Sequence, residues 1–572
     1  MLDQLSSPVF GIVESLASPV EEINPALSIG DGHFRCLGVS GTTFYFQPGN
    51  VAEIIELSAS QLKKPHILRL APLQWWESQW PAKGGCNWDE AVNALVQSCM
   101  ARGAYNANRL TGRGTYVEPG TLAVVTHLGS HLLVNDEPCS VTAQKSARIF
   151  IEGTPTELPD LPPLANGEAR RIEALCSKLD WASPEMAKLF AGFLVIAPVC
   201  GALPWRPHVW INGPFESGKS FALKNVLGRL LAGISFSFGG SITEAGIRQD
   251  LGHDALPVLI DEAEAKDERA AQRLDAVLEL ARSSSQPGGA AIVKGGAAGK
   301  ATHYRVQSAF AFASIDVPIR QSADESRIVR LTLRGPDEAT DAVERGKAFG
   351  AIKAELADLV RANYGPRLFY RTRKLLLTIL QNSDAFGAAI AARTGSGRLG
   401  DVLGPLVAGW FSLVSDKRVL PADAARKIDE WKWLSTAITK NKTQRDYEAA
   451  LAHLMQSFIG LDHGYRRTVA ELVAMASAAE ASESPEAASA DAALRRNGIR
   501  VRKEGRSTHL LICRGSGAVK ALFHGTQWSA SPVETISQNP RATITDNPIR
   551  FGGGIKQRAI SIDLNLEGYG DE

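Results

Sequence analysis

The sequence predicts a multidomain α/β chain. Its centre is a parallel-sheet core with a phosphate-binding loop, accompanied by a small β-rich N-terminal module, a helical lid and a C-terminal winged-helix-like domain. Three observations predict it. A short apolar run, Val209 to Ile211, leads into Gly213-Pro214-Phe215-Glu216-Ser217-Gly218-Lys219-Ser220, and Phe221, Leu223, Val226, Leu227, Leu230 and Leu231 then repeat at helical spacing. A second apolar run, Leu256 to Ile260, ends in Asp261-Glu262. From about residue 204 to 334, strand-like and helix-like stretches alternate, as in a parallel sheet with crossover helices.

The chemistry explains these residue types. Glycines let backbone N–H groups curl round a polyphosphate, and the following helix N-terminus adds partial positive charge. Lys219 can reach the β- and γ-phosphates of a nucleotide such as ATP, and the Ser220 hydroxyl can ligate Mg²⁺. Asp261 lies 42 positions after Lys219, which leaves room for a helix and one further element. At a strand end it can hold the Mg²⁺ shell, while Glu262 can orient or deprotonate an attacking water. The two motifs together point to hydrolysis rather than to binding alone.

Composition sets outer limits. At 572 residues the chain exceeds one compact core. Segments 1–150, 151–203, 204–335, 336–443 and 444–572 read respectively as the N-terminal module, a Pro-rich linker with a helical collar, the core, the lid and the last domain. Lys+Arg number 62 and Asp+Glu 61, so a globally basic nucleic-acid binder is excluded but a local basic channel is not. The seven cysteines are scattered, with no CxxC pair and no zinc spacing, which suits free thiols in a reducing cytoplasm. The N-terminus lacks the features of a signal peptide. The apolar stretch Leu189 to Leu203 is too short to span a bilayer and is broken by Pro198 and Gly201, so it reads as a buried helix and no membrane is expected.

In chain order, His33 to Val39, Thr43 to Gln47 and Val51 to Leu57 read as short strands. Trp75, Trp76 and Trp80 suit a packed aromatic cluster better than a base-stacking platform. Trp88 to Arg102 is an amphipathic helix, and Tyr116 to Val134 a second β segment. The run Ile151 to Leu164 is Pro-rich and reads as a domain boundary. Helices follow near 167–179 and 183–197. Beyond Asp261, Leu274 to Arg282 is helical, and Ala290 to Val306 reads as a β-hairpin with a Gly-rich tip and the cations Lys294, Lys300, His303 and Arg305. A strand from Ser308 then ends at Ser314, a polar residue that could sense a γ-phosphate. Ser326-Arg327 stands at the mouth of a further strand.

This order resembles the pre-sensor-1-hairpin AAA+ ATPases, the group that includes the superfamily 3 and MCM helicases. Blocks such as Thr243 to Gln249, Asp254 to Glu264 and Ser283-Ser-Ser are similar to replicative helicases or primase–helicases of phages, prophages and plasmids. The resemblance covers about residues 202–333. It implies a P-loop AAA+ ATPase core that uses ATP and Mg²⁺, assembles as a homo-oligomer, a hexameric ring, and grips single-stranded DNA in a central pore through Lys294 and Lys300. It further implies that Arg327 completes a neighbour's ATP site in trans, and that a separate primase or replication initiator is a partner. The sensor position, commonly Asn in these families, is Ser314 here.

The rest of the chain reads as helices from about 344 to 420, then a helix, helix, helix, β-wing order from Tyr447 to Cys513, with Thr468 and Glu471 as a capping box. Arg500, Arg502, Lys503 and Arg506 make a basic wing suited to phosphate contacts, although such domains also serve as protein-binding modules. The first 150 residues show no acidic triad or zinc ribbon and read as a remnant or a docking module. Two functions fit: a DNA helicase or translocase, or an ATP-gated initiator, loader or defence ATPase that binds DNA without unwinding it.

Overall fold

The computed structural model describes residues 29–30, 32–142, 146–265, 267–286, 292–295, 301–319, 326–335, 342–432, 446–461, 465–477, 484–505, 507–526, 528–551 and 556–564. They form two compact units, one up to residue 432 and one from residue 446.

At the heart of the first unit is a five-stranded parallel sheet: β1 His208–Asn212, β2 Phe236–Gly239, β3 Val258–Asp261, β4 Phe310–Ser314 and β5 Ile328–Thr332, in the order β2-β3-β4-β1-β5. These strands are near-continuous apolar runs because helices cover both faces of such a sheet. The exceptions are β2, whose residues alternate between half-buried and exposed, and the exposed Arg330 in the middle of β5. Trp210 on β1 stacks on Phe312 of β4 at 4.8 Å, and Phe310, Val258 and Ile260 fill the same layer. The register pairs Asn212 with both Ser314 and Thr332, and Gly239 with Asp261. The carboxyl ends of all five strands therefore lie along one edge, where ligands bind in open α/β sheets.

Before the core come two antiparallel meanders. One comprises Phe34–Ser40, Thr43–Pro48 and Ile55–Ser58; the other runs from Gly114–Val117 to Glu137–Ser140. The tryptophans pack as a cluster: Trp76 is fully buried, stacks on Trp80 at 5.5 Å and donates from its indole to the Ala71 carbonyl. The meanders dock on the core through Arg113. Its backbone N–H, Nε and Nη2 all bond the Asp254 carboxylate, at 2.6, 2.8 and 2.6 Å. Burial still pushes the Asp254 carboxyl above the ordinary value, against the pull of Arg113.

Helices from two distant segments pack together: Asn166–Ser177 and Pro184–Ile196 with Leu376–Thr394 and Gly397–Val414. The helix crossing is close enough that a Cβ on Gly192 would lie 1.9 Å from the Leu406 carbonyl oxygen, so only glycine fits there. The collar and lid helices thus meet in one bundle. One helical stretch, Pro184–Ala202, is long and apolar enough to cross a membrane, and its apolar window is 89% buried within the protein. The Pro-rich segment is a strap on this bundle, where Pro159, Pro162 and Leu164 offer carbonyls to Tyr370, Arg367 and Arg371.

The second unit has helices Asp446–Gln456, Val469–Ser477 and Pro485–Arg496, followed by the antiparallel strands Ile499–Glu504 and Ser507–Cys513. Thr468 and Glu471 form the capping box: the Glu471 N–H bonds the Thr468 hydroxyl (3.2 Å), and the Thr468 N–H bonds the Glu471 carboxylate (2.7 Å). The third helix begins at Pro485, where Pro at the first turn and an Ala-rich run favour helix. Ala559–Asp563 adds to the wing sheet beside Ser507–Cys513.

Replacing Arg113 with Met leaves the Asp254 carboxylate buried without its partner. The expected cost is about 3 kcal/mol, with Asp254→Asn milder because it carries no charge. Thermal unfolding of the two variants measures this, and equal melting temperatures for Arg113→Met and the unmodified chain would refute the docking role.

Candidate functional site

The loop Gly213–Ser220 leaves the carboxyl end of β1. A Cβ on Gly213 would meet the Leu333 carbonyl oxygen at 2.5 Å, so the loop hugs the end of β5 only with glycine there. Glu216 and Gly218 adopt positive φ, 61° and 90°, which turns successive N–H groups inward. Lys219 Nζ donates to the Pro214 carbonyl at 2.6 Å, and its pKa is lowered by burial. Phe215 is 75% exposed at the tip. The chain then runs into helix Phe221–Leu227, wound as a π-helix. Phe221, Leu223, Val226, Leu227, Leu230 and Leu231 are all buried, which holds the helix on the sheet.

Opposite the loop, β3 ends at Asp261. Ser220 Oγ donates to Asp261 Oδ1 at 3.3 Å, and Lys224 Nζ lies 2.6 Å from Asp261 Oδ2. The hydrogen bond and charge of Asp261 raise the Lys224 pKa. The Lys224 ammonium is a cation seated on the carboxylate, standing where a divalent ion would sit. One carboxylate and one hydroxyl are an all-oxygen donor pair that suits Mg²⁺ completed by waters and phosphate oxygens. Among the described residues no cluster of three or more His, Cys, Asp or Glu offers an all-protein metal site. Glu262 is exposed beside this pair with φ 57°, a left-handed conformation that costs a non-glycine residue about 1 kcal/mol and is typical of functional positions.

Ser314 closes β4 next to Asn212 and is buried. Its hydroxyl accepts from the Trp210 indole at 2.7 Å and donates to the Asp316 carbonyl, so its single proton is committed. Arg327 precedes β5 at the other end of the sheet. Its carbonyl faces the His208 N–H at the start of β1. A strand rise of 3.3 Å per residue puts it roughly 15 Å from the loop of its own chain. The structure does not bring Arg327 to the site that Lys219, Ser220, Asp261 and Glu262 share.

Three side chains outside that site root the hairpin. Ser284 Oγ donates to the Ser308 carbonyl (2.6 Å) and accepts the Ser308 N–H (3.0 Å). Arg206, fully buried, donates to the carbonyls of Cys200, Ser284 and Gln286 at 2.9, 3.1 and 3.0 Å. His208 Nδ1 accepts the Phe310 N–H at 3.0 Å, and Nε2 lies 2.7 Å from the Ala281 carbonyl. This fixes a neutral ring, and burial pushes its pKa down to about 3. Both ends of the hairpin excursion are thereby bolted to β1. None of these contacts has a sequence signature except the serine run, since each partner is remote in the chain. Lys224 also escapes sequence reasoning, because no spacing rule marks it.

The hairpin itself pairs Ile292–Gly295 with Ala301–Tyr304, setting Lys294 opposite Thr302 and Val293 opposite His303. Lys300 lies outside the described residues. Arg305 is at the foot rather than the tip: burial lowers its pKa first, and the nearby Arg148 guanidinium lowers it further. In the second unit, Arg502 and Lys503 are exposed on the wing, Arg502 pairs with Glu504 at 3.2 Å, and Arg500 donates to the Arg550 carbonyl at 3.3 Å. Arg506 lies outside the described residues.

No protein-family model and no curated protein matches the chain. Among solved structures it is similar to one titled "SCCmec type IV Cch - active helicase", with 12% identity, a TM-score of 0.46, and 92% of this chain and 91% of that one covered. It is also similar to "The apo structure of NrS-1 C terminal region (305-718)", with 11% identity, a TM-score of 0.29, and coverage of 93% and 96%.

The His208 geometry has a pH consequence. With a folded pKa of about 3 against 6.5 for an ordinary histidine, its stabilising contribution is complete above pH 6.5 and is lost as pH falls toward 3. The loss approaches about 1.4 kcal/mol per pH unit. Melting temperature should therefore decline below pH 6.5, and His208→Gln, which cannot ionise, should flatten the decline. An unchanged slope in that variant would count against the assignment.

Proposed function

We propose that this chain is an ATP-hydrolysing DNA helicase or translocase of the superfamily 3-like AAA+ class, working in replication of a phage, prophage or plasmid. The observation that carries the reading is the convergence of the phosphate loop with Asp261 and Glu262 at one sheet edge, Ser220 and Asp261 lying 3.3 Å apart. In this reading Lys219 leaves the Pro214 carbonyl to pair with β- and γ-phosphate oxygens. Ser220 and, mostly through water, Asp261 would hold Mg²⁺, which would neutralise charge on the phosphates. With Mg²⁺ held there, the Lys224 ammonium would have to give up its contact with Asp261. Glu262 orients and deprotonates the attacking water. A γ-phosphate-sensing role for Ser314 requires its proton to move from the Asp316 carbonyl.

Arg327 supports an assembly reading. It is far from its own loop, yet a guanidinium stabilises a transferring phosphoryl group. It therefore serves the loop of a neighbouring copy, in a ring that the resemblance makes a hexamer. The hairpin, with Lys294, Lys300 and His303, grips one DNA strand in the pore, and its root on β1 ties it to the strand that carries the loop. The wing cations Arg500, Arg502, Lys503 and Arg506 add phosphate contacts.

The direct test is ATP turnover with and without single-stranded DNA, together with unwinding of a forked duplex. DNA-stimulated turnover with strand displacement supports the motor. ATP-dependent DNA binding without displacement would favour an initiator or loader instead. Lys294→Ala with Lys300→Ala should abolish both stimulation and unwinding, and full retention of both would sink the hairpin role.

The shared site makes a second expectation. Lys219→Ala and Arg327→Ala chains should each lose turnover by about a hundredfold or more. Mixed, they should recover a measurable part of it, because some interfaces pair an intact loop with an intact arginine. Absence of any recovery from co-assembled chains would exclude the trans arginine.

A further inference from the structure

The N-terminal module carries charge that the site above leaves unused. Leu110–Thr111 pairs in parallel with Ile149–Phe150, which sets Arg109 and Arg148 side by side just ahead of the paired residues. Arg109 Nε donates to the Ala147 carbonyl at 2.6 Å, which fixes the pair. The second hairpin strand, Ala301–Tyr304, packs against Ala107–Arg109, and Arg305 follows it directly. Arg102 ends helix Trp88–Ala101 close enough to Arg109 to be felt electrostatically.

Acid is scarce here. Glu118 lies 3.8 Å from Arg148 Nε, but its side chain is only 7% exposed and it also accepts from the Ser146 hydroxyl. Arg305 Nε is buried without a hydrogen-bond partner among the described residues. Arg148 lies over the Tyr116 ring at 4.6 Å, so a neutral face supplies part of its packing. Burial and then neighbouring guanidiniums lower the pKa values of Arg109 and Arg305, a sign of like charges held together. Arginine stays ionised regardless. The fold therefore keeps a repulsive cluster that a polyanion would relieve.

We propose that Arg102, Arg109, Arg148 and Arg305 form a landing track for the phosphodiester backbone of a single-stranded nucleic acid, on the N-terminal module at the foot of the hairpin. The track assigns that module a substrate-guiding role in place of a remnant or a dock for another protein. It rests on the reading that the hairpin engages a strand, since the track continues from the hairpin's second strand. A row of guanidiniums suits phosphates spaced along one strand and carries no base readout, so binding is insensitive to sequence.

The test is fluorescence anisotropy of a labelled oligothymidylate over a salt series, with the full chain. In Arg102→Glu with Arg305→Gln, affinity should fall by about tenfold or more, and the slope of log K against log salt should shrink by about 1.4, the share of two phosphate contacts on a single strand. Melting temperature should hold, because Arg102 and Arg305 are both half-exposed and the Arg305 Nε makes no hydrogen bond among the described residues that Gln would have to replace. Arg102→Lys with Arg305→Lys should restore the slope, which a merely structural role would not require. Unchanged affinity and slope in the Glu/Gln variant overturn the track. If Lys294→Ala with Lys300→Ala then still abolishes binding, the motor reading survives that loss. An unmodified chain that binds no oligothymidylate overturns both.

Discussion

The organisation of the first unit depends on β1 being hydrogen-bonded on both sides. β4 and β5 pair with it in parallel over the same residues, so Asn212, Ser314 and Thr332 end level. That alignment decides where the phosphate loop emerges and what it faces. β3 reaches the same edge through β4, and Asp261 thereby meets Ser220 although 41 positions separate them. A one-residue slip would turn each strand's side chains to the opposite face of the sheet and break this convergence.

The same strand links two parts of the fold at its two ends. Its carboxyl end carries the loop. Its amino end, through His208 and the neighbouring Arg206, holds Ala281, Ser284, Gln286 and Phe310, the residues before and after the hairpin. A shift of β1 on phosphate binding would be transmitted to the hairpin through buried, fully engaged polar groups, which do not deform freely. Arg327 lies at this amino end too, so it and the hairpin root share one edge of the sheet.

Much of the site was legible because its residues are neighbours in sequence. Phosphate binding needs consecutive N–H groups, so Gly213 to Ser220 must be contiguous. The helix behind it must bury one stripe, so Phe221 to Leu231 show their period. The hairpin and capping box are local for the same reason. Short, half-exposed β2 was illegible: Phe236 and Phe238 alternate over too few residues to stand out.

Sequence by itself determined the glycine-rich loop, the acidic strand end, the class of sheet and the alternation of elements, since these follow from local spacing and apolar periodicity. Tertiary structure alone decided that Lys224 sits on Asp261, that Ser314 spends its proton on a carbonyl, and that Arg327 is remote from its own loop. It also decided that Arg109, Arg148 and Arg305 converge, and that Arg113 binds Asp254 across 141 positions. The physical reason is the same throughout. Each of these contacts joins side chains brought together by strand order and packing, and no periodicity along the chain encodes which strand lies next to which.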